Sequence, residues 1–419
     1  MKRVTKPSWR IVATGLAIAG VALMGTVPVS ASASPITITF WDHVQSSKNI
    51  GIAYNNAAKQ FEQAHPGVNV VINLIPFSEY ENKVTVAMEG GQGPDIMSMD
   101  EVWTPQFAAA GFITPLSRYL TSSGIKPSMF FSGAWQTVVY KGQPYALPLG
   151  FDVWEQMYYN PGLFTKAGIS GPPTTWAQML TDAQKLTGNG NFGIGLMGAK
   201  SEVLSVWLDS LLYSNGGQVL NSSGQPAIDS PQNAATLAFV QQLEKYAPSG
   251  VVSATETTDE TLFAQGKLGM LLDGNWAQDT MNATATFGWK IAVPPAPPGK
   301  VFHGALGGWN LGINSHSAHA QLAYAFAKLL TTTPSIQIAE AANVPALRSA
   351  SSAYFKTRRQ PNVILQTLNT GLPRPITPVY PSISNIEQNM AQSVLEGHSI
   401  AAALSSAQSQ FKAAIAQNG

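Results

Sequence analysis

The chain has 419 residues, with 24 lysines and arginines, 23 aspartates and glutamates, and no cysteine. The balanced charge gives no support for a nucleic-acid or anionic-membrane partner, and the lack of cysteine excludes disulfides, thiol catalysis and thiolate metal sites. Charged residues make up only 11% of the chain, against about 25% in ordinary soluble domains.

The first residues have the pattern of a secretory signal peptide. Four basic residues precede an apolar run at positions 11–24, and small residues follow at 31–33. A membrane span takes about twenty residues, so the run is too short for an anchor, although an uncleaved anchor remains the weaker alternative. The pattern predicts export and cleavage near Ala33. The remaining 386 residues, with a net charge of −3, are enough for two domains.

The next segment alternates between strand and helix patterns. Apolar periodicity and turn residues predict strands at 36–41, 68–75 and 94–100, with helices at 52–64, 80–88 and 107–110. Strand, helix, strand in this order predicts a parallel sheet covered by helices.

Ligands of such open sheets bind beyond the carboxyl ends of the strands. His43, beside Asp42, follows the first predicted strand, and Asp100 and Glu101 follow the third. Asp100 could instead cap a helix, and His43 could be a solvated loop residue. These three side chains are therefore candidates for a binding site.

The middle of the chain contains an apolar, β-prone run that Asp152 interrupts, followed by a Gly/Pro turn before a helix that begins near Trp176. Later helices are predicted at 205–212, 231–246, 318–330, 335–342, 386–395 and 401–416, with a buried strand at 270–272. A Pro-rich stretch at 291–300 predicts a stiff, extended crossing between domains.

Several motifs resemble one family. They are "YYNPGLFTKAGISGPPTTW" from Tyr158, "FAQGKLGMLLDGNW" from Phe263, and "GGWNLGIN" from Gly307. Their order over residues 36–416 is similar to that of the extracellular solute-binding proteins of ABC importers, in the group that includes the maltose-binding protein. The resemblance implies a two-lobed α/β type II periplasmic-binding-protein fold, each lobe a mainly parallel sheet flanked by helices. The implied lobes are 36–149 with 297–344, and 150–296 with 345–419.

The resemblance also implies a sugar site between the lobes. In relatives a tryptophan at the position of Trp276 covers one face of a bound sugar, and Trp309 belongs to the matching Gly-Gly-Trp element. Aromatic rings suit the C–H faces of a pyranose, while carboxylates and amides bind its hydroxyls. Core packing is the stronger interpretation for Trp207. The expected ligand-binding residues are His43, Asp100, Glu101, Asp152, Trp207, Asn275, Trp276, Gly308, Trp309, Arg348 and Tyr380.

We therefore expect a secreted, monomeric binding protein that delivers a di- or oligosaccharide to the permease subunits of an ABC importer. No cofactor, metal or catalytic residue is expected, because no G-x-S-x-G, H-E-x-x-H or P-loop motif is present. The alternatives are a secreted glycoside hydrolase using two carboxylates, or a carbohydrate-binding adhesion protein without a transport role. Many relatives carry a lipid-modified cysteine, which this chain lacks, so no lipid anchor is expected.

The scarcity of charge suggests adaptation to acid. Few carboxylates means few ion pairs to lose at low pH, and few basic residues means little positive charge to repel. The sequence thus favours a protein that binds its ligand near pH 3, although low charge could also reflect lineage alone.

Overall fold

The structure, a computed structural model, describes residues 35–44, 49–340 and 343–418, so the predicted signal peptide and cleavage site lie outside the described residues. The strands are β1 (Ile36–Val44), β2 (Val68–Pro76), β3 (Ile96–Asp100), β4 (Val139–Tyr140), β5 (Gln143–Pro144), β6 (Ala146–Val153), β7 (Gln156–Tyr159), β8 (Phe192–Gly195), β9 (Leu268–Asp273), β10 (Lys290–Ala292), β11 (Ala305–Ile313), β12 (Val344–Pro345) and β13 (Leu372–Pro373).

Helices surround these strands. They are α1 (Asn49–Ala64), α2 (Phe77–Glu89), α3 (Thr104–Ala109), α4 (Ser117–Ser123), α5 (Ser132–Thr137), α6 (Pro161–Lys166), α7 (Trp176–Leu186), α8 (Glu202–Ser214), α9 (Pro231–Glu244), α10 (Glu256–Ala264), α11 (Ala277–Thr284), α12 (Ala320–Thr332), α13 (Pro334–Glu340), α14 (Arg348–Thr357), α15 (Pro361–Thr370), α16 (Tyr380–Leu395) and α17 (Ile400–Asn418). Short 3₁₀ turns occupy Glu101–Trp103, Pro127–Met129 and Val251–Ser253.

The larger sheet has the order β12-β6-β11-β3-β1-β2, with β13 beside β11. Strands β2, β1 and β3 are parallel, as the strand–helix pattern predicts, whereas β11 runs antiparallel to both β3 and β6. Strands β2, β1, β3 and β6 thus run in one direction, as expected, while the crossing strand β11 and the short strands β12 and β13 run the other way. The register pairs Trp309 with both Asp100 and Gly150, which brings three distant segments together.

The smaller sheet has the order β10-β7-β9-β8 and is also mixed. Strands β8 and β9 are parallel, while β7 is antiparallel to both β9 and β10. Strand β9 is buried along its whole length, as its continuous apolar sequence predicts. It ends at Asp273, so it carries the Gly274–Trp276 segment to the edge of this sheet.

Two hydrophobic cores underlie the two sheets. Phe40 and Phe326 belong to the first, and Tyr158 and Phe263 to the second. Along the chain, core membership changes between Leu149 and Trp154, between Ala305 and Trp309, and between Ala350 and Tyr354. Membership also changes at Val344 and at Tyr380, so the number of crossings stays a prediction, while Ile36–Gly419 as a whole forms one compact unit. The exact lobe limits stay a prediction.

Side-chain caps explain why several helices begin where they do. Asn160 accepts hydrogen bonds from the backbone of Gly162 and Leu163 ahead of α6, and Thr175 accepts one from Gln178 in α7. Thr255 does the same for α10, which places Glu256 at the first position of that helix.

Two expectations about local structure are wrong. Asp42 and His43 lie within β1 rather than after it, because β1 pairs with β2 as far as Val44. Helices α4, α5, α10, α14 and α15 were not expected. Four of them are rich in Ser and Thr, which have weak helix propensity, so tertiary packing decides their conformation.

Candidate functional site

The end of β1 supplies the first part of the candidate site. The Asp42 carboxylate accepts hydrogen bonds from the His43 backbone N–H (2.8 Å), from Tyr54 Oη (2.6 Å) and from Ser98 Oγ. His43 Nδ1 lies 2.9 Å from Asp42 Oδ1. Asp42, which is buried, therefore fixes the orientation of His43.

Trp309 packs directly against this histidine. The His43 and Trp309 rings are stacked, with centroids 3.6 Å apart and planes 18° apart. The edge of Trp309 meets Trp103, with centroids 6.0 Å apart. Gly308 has no room for a side chain, since a Cβ there would lie 2.5 Å from the Gly150 carbonyl oxygen. Gly308 thus acts by letting β11 approach β6 and carry Trp309 to this position.

Asp100 takes part in a buried ion-pair cluster. The fully buried Arg374 donates from Nη1 to Asp100 Oδ2 (3.0 Å), and Nη2 pairs with Asp100 Oδ1. Nη1 also donates to Glu202 Oε1 (2.6 Å), and Nε donates to the Leu306 carbonyl (3.2 Å). Glu202 further accepts from Tyr380 Oη and Ser384 Oγ. Asp100 and Tyr380 are therefore already engaged with other protein groups.

Asp152 and Asn275 meet from the two halves of the molecule. Asp152 Oδ1 accepts from the Val344 N–H (3.3 Å), and the Asn275 side chain hydrogen-bonds to the same carboxyl. Burial raises the pKa of Asp152 to about 8, so this carboxyl carries a proton near neutrality. Asn275 Nδ2 donates to Tyr354 Oη (2.7 Å), which connects α14 to the same group.

Trp276 forms a second aromatic wall of the candidate site, together with Trp154. Its indole Nε1 donates to Glu256 Oε1 (2.6 Å), and its ring meets the edge of Trp154 with centroids 4.7 Å apart. The pKa of Glu256 is raised by burial and lowered by its bonds to Trp276 and Asp273 and by the charge of His43. Glu256 is therefore close enough to His43 for the two groups to interact electrostatically.

The remaining expected ligand-binding residues, Trp207, Arg348 and Glu101, make other contacts. Trp207 is 3% exposed and belongs to the second core, as the core-packing interpretation predicts. Arg348 donates from Nε to the Phe130 carbonyl (2.8 Å) and lies over the Phe131 ring. Glu101 is buried, which raises its pKa to about 7.

Glu101 also borders a separate, mainly apolar cavity of about 400 Å³. Phe131, Phe151 and Phe355 line it, together with Leu306. Successive side chains of a strand point to opposite faces, so Phe151 and Asp152 in β6 face away from each other. Phe151 borders the cavity and Asp152 does not, but Val344, which donates to Asp152, also lines it.

Sequence reasoning missed four residues of this arrangement: Trp154, Glu202, Glu256 and Arg374. The run Pro373-Arg374-Pro375 was the available signal for Arg374. Arginine is almost never fully buried unless it is paired.

Within the described ranges, no group of three or more His, Asp or Glu side chains could hold a metal ion. None of the described helices is both long and apolar enough to cross a membrane.

Comparison with known proteins identifies the family. The profile described as bacterial extracellular solute-binding protein matches residues 46–336. A solved ABC-transporter solute-binding protein from Thermotoga lettingae, bound to α-D-tagatose, is 28% identical, with a TM-score of 0.83 over 91% of this chain and 100% of its own.

Two curated relatives are similar in sequence. The diacetylchitobiose-binding protein DasA of Streptomyces coelicolor is 24% identical over 91% of this chain and 90% of its own length. The maltotriose-binding protein of Pyrococcus abyssi is 24% identical over 71% of this chain and 63% of its own. The fold is that of type II periplasmic binding proteins, whose members are binding proteins rather than enzymes. Because the family profile matches more than half of its residues, the chain belongs to the bacterial extracellular solute-binding proteins.

Proposed function

We propose that this protein captures an uncharged sugar, a di- or oligosaccharide, between its two lobes and delivers it to the permease subunits of an ABC importer. The observation that carries the proposal is a pair of aromatic walls, one in each core. His43 and Trp309 belong to one core, and Trp276 with Trp154 and Glu256 to the other. Two similar proteins are named for diacetylchitobiose and maltotriose, and a third was solved with tagatose.

The chemistry of the walls fits this ligand class. Indole rings cover the apolar faces of a pyranose, and the Asp152 and Asn275 side chains can exchange hydrogen bonds with hydroxyls. An unpaired buried polar group costs about 1–3 kcal/mol, so such a site distinguishes sugars by their hydroxyl pattern. Asp100, Glu101, Arg348, Gly308 and Tyr380 remain proposed ligand-binding residues.

The same reasoning extends to how the protein works. We infer that it acts outside the cytoplasm as a monomer, without nucleic acid, cofactor or lipid anchor, and that it returns its ligand intact. Lobe closure about the crossings would exclude water from the bound sugar. The alternatives are a glycoside hydrolase and an adhesion protein.

A thermal-shift screen tests the proposal directly. The mature protein is heated with maltose, maltotriose, diacetylchitobiose, tagatose and neutral polyols, and with charged sugar phosphates as a control. A ligand that binds the folded state raises the melting temperature with its concentration. We expect at least one neutral sugar to do so and the phosphates to fail. If only phosphates or amino acids stabilise the protein, the sugar proposal is wrong.

A further inference from the structure

Three carboxyl groups converge behind the wall that Trp276 forms. Glu256 and Glu260 lie one turn apart on α10, and Asp273 ends β9. Glu260 and Asp273 are each 4% exposed. Two buried carboxyl groups and the half-buried Glu256 therefore lie on two neighbouring elements.

The contacts within this group require a shared proton. Asp273 and Glu256 are hydrogen-bonded to each other, which two carboxyls achieve only when one of them carries a proton. Asp273 Oδ2 and Glu260 Oε1 receive no hydrogen bond from an N–H or hydroxyl group, and in the described part of the chain neither residue pairs with a lysine or arginine. Burial and the charges of Glu256 and Glu260 raise the pKa of Asp273 well above its ordinary value.

One member of this carboxyl cluster, Glu256, also binds the indole of Trp276. Trp276 Nε1 donates to Glu256 Oε1 at 2.6 Å. Asp273 Oδ1 accepts from the Gly274 N–H at 2.7 Å, and the Gly274 carbonyl accepts from Tyr158 Oη at 2.6 Å. The backbone beside Trp276 is thus fixed, and Glu256 sets the direction of the ring.

We propose that Glu256 is the positioning residue of Trp276, and that the proton it shares with Asp273 makes sugar binding tighter in acid than at alkaline pH. This inference rests on the proposed function. With the proton present, Glu256 accepts from both Asp273 and Trp276. Once the proton is lost, two adjacent carboxylates repel each other, and the Glu256–Trp276 bond is disturbed. Sugar binding to the correctly oriented Trp276 is therefore coupled to uptake of a proton by the Glu256–Asp273 pair.

Two other titratable groups near Glu256 influence its charge state. Glu260, on the same helix, adds negative charge, and burial raises its pKa to about 8 while its bond with Thr280 of α11 lowers it. Across from α10, His43 of β1 favours the charged form of Glu256. A protonated His43 would also attract Glu256 in acid, so a His43→Asn variant is needed to separate the two contributions.

The first experiment needs no sugar. In ¹⁵N-labelled ligand-free protein, the indole Nε1–H resonance of Trp276, assigned by its loss in Trp276→Phe, is followed from about pH 4 to about pH 9. We expect it to titrate in the wild type and in His43→Asn but not in Glu256→Gln, which keeps an acceptor. Trp176 is an internal control, since its Nε1 donates to the Pro295 carbonyl, which cannot titrate. An invariant Trp276 resonance in the wild type would overturn the inference.

The second experiment measures the dissociation constants of maltotriose and diacetylchitobiose across the same pH range. For one linked proton, Kd rises by at most about tenfold per pH unit, and we expect a rise of about threefold to tenfold between pH 5 and 8. Glu256→Gln should flatten this profile, while exposed Glu79→Gln should leave it unchanged. The inference is contradicted if Kd does not depend on pH, or if Glu256→Gln shows the same pH dependence as the wild type. Neither result would contradict the proposed function. If the Trp276 resonance titrates but no sugar binds at any pH, the proposed function fails instead.

Discussion

At the scale of single residues, the two tryptophans expected to stack on a sugar are each held by a neighbouring polar side chain. His43 covers one face of Trp309, and Glu256 binds the indole of Trp276. Both indoles are 6% exposed. Each ring therefore contributes to its core as well as to the candidate site, and its replacement should affect both.

We expect Trp309→Ala and Trp276→Ala each to weaken sugar binding by about 1–3 kcal/mol, because each removes an aromatic face from the ligand. Both variants should also melt earlier, since a buried indole is lost. Calorimetric titration at a temperature where the variants stay folded separates the two effects. Trp176→Ala, which removes an indole stacked on Phe239 away from the site, should melt earlier with an unchanged Kd. Wild-type affinity in both site variants would show that neither ring touches the sugar.

At the scale of elements, Arg374 joins strands and a helix that are distant in the sequence. This side chain joins Asp100 at the end of β3 to Glu202 at the start of α8, and it follows directly on β13. The Asp100 and Arg374 side chains are 2% and 0% exposed. A buried cation between two carboxylates cannot be removed without leaving both charges unpaired.

Arg374→Ala should therefore lower the free energy of unfolding by about 3–5 kcal/mol. The triple variant that adds Asp100→Asn and Glu202→Gln should recover most of this loss, because the buried charges disappear together. Urea denaturation followed by circular dichroism measures both. Lys83→Ala breaks an exposed pair with Glu79, and it should cost less than about 0.5 kcal/mol. Equal effects of Arg374→Ala and Lys83→Ala would contradict the assigned role.

At the scale of the whole molecule, many of its few carboxyls are buried without a cation. Burial raises the pKa of Asp152 and Glu260 to about 8 and that of Glu101 and Asp209 to about 7. In the unfolded chain these groups titrate near pH 4. The folded state thus binds more protons between about pH 4 and 8, so its stability decreases as the pH rises through this window.

We accordingly expect the melting temperature to be higher at about pH 4 than at about pH 8. Asp209 and Glu387 form a second buried carboxyl pair, so the double variant Asp209→Asn, Glu387→Gln should reduce the difference. Exposed Asp229→Asn should not. Calorimetry across this range decides, and a melting temperature that rises toward pH 8 would refute both this expectation and the acid adaptation that the low charge suggests.

The sequence alone determined the alternation of strands and helices at the start of the chain, the family, and the candidate residues His43, Asp152, Asn275, Trp276 and Trp309. Periodicity and motifs are local, so they can be found without knowing which segments meet. Only the tertiary structure showed that the larger sheet is mixed, because strand direction depends on how the chain returns between the two cores.

The partners of the candidate residues also depended on the tertiary structure. Arg374 meets Asp100 and Glu202 across separations of 274 and 172 residues, and Glu256 meets Trp276 from a different element. A carboxyl group in the sequence has the same formula whether it is solvated, paired with a cation or sharing a proton. Burial and neighbours decide among these states, and both arise only when the chain has folded.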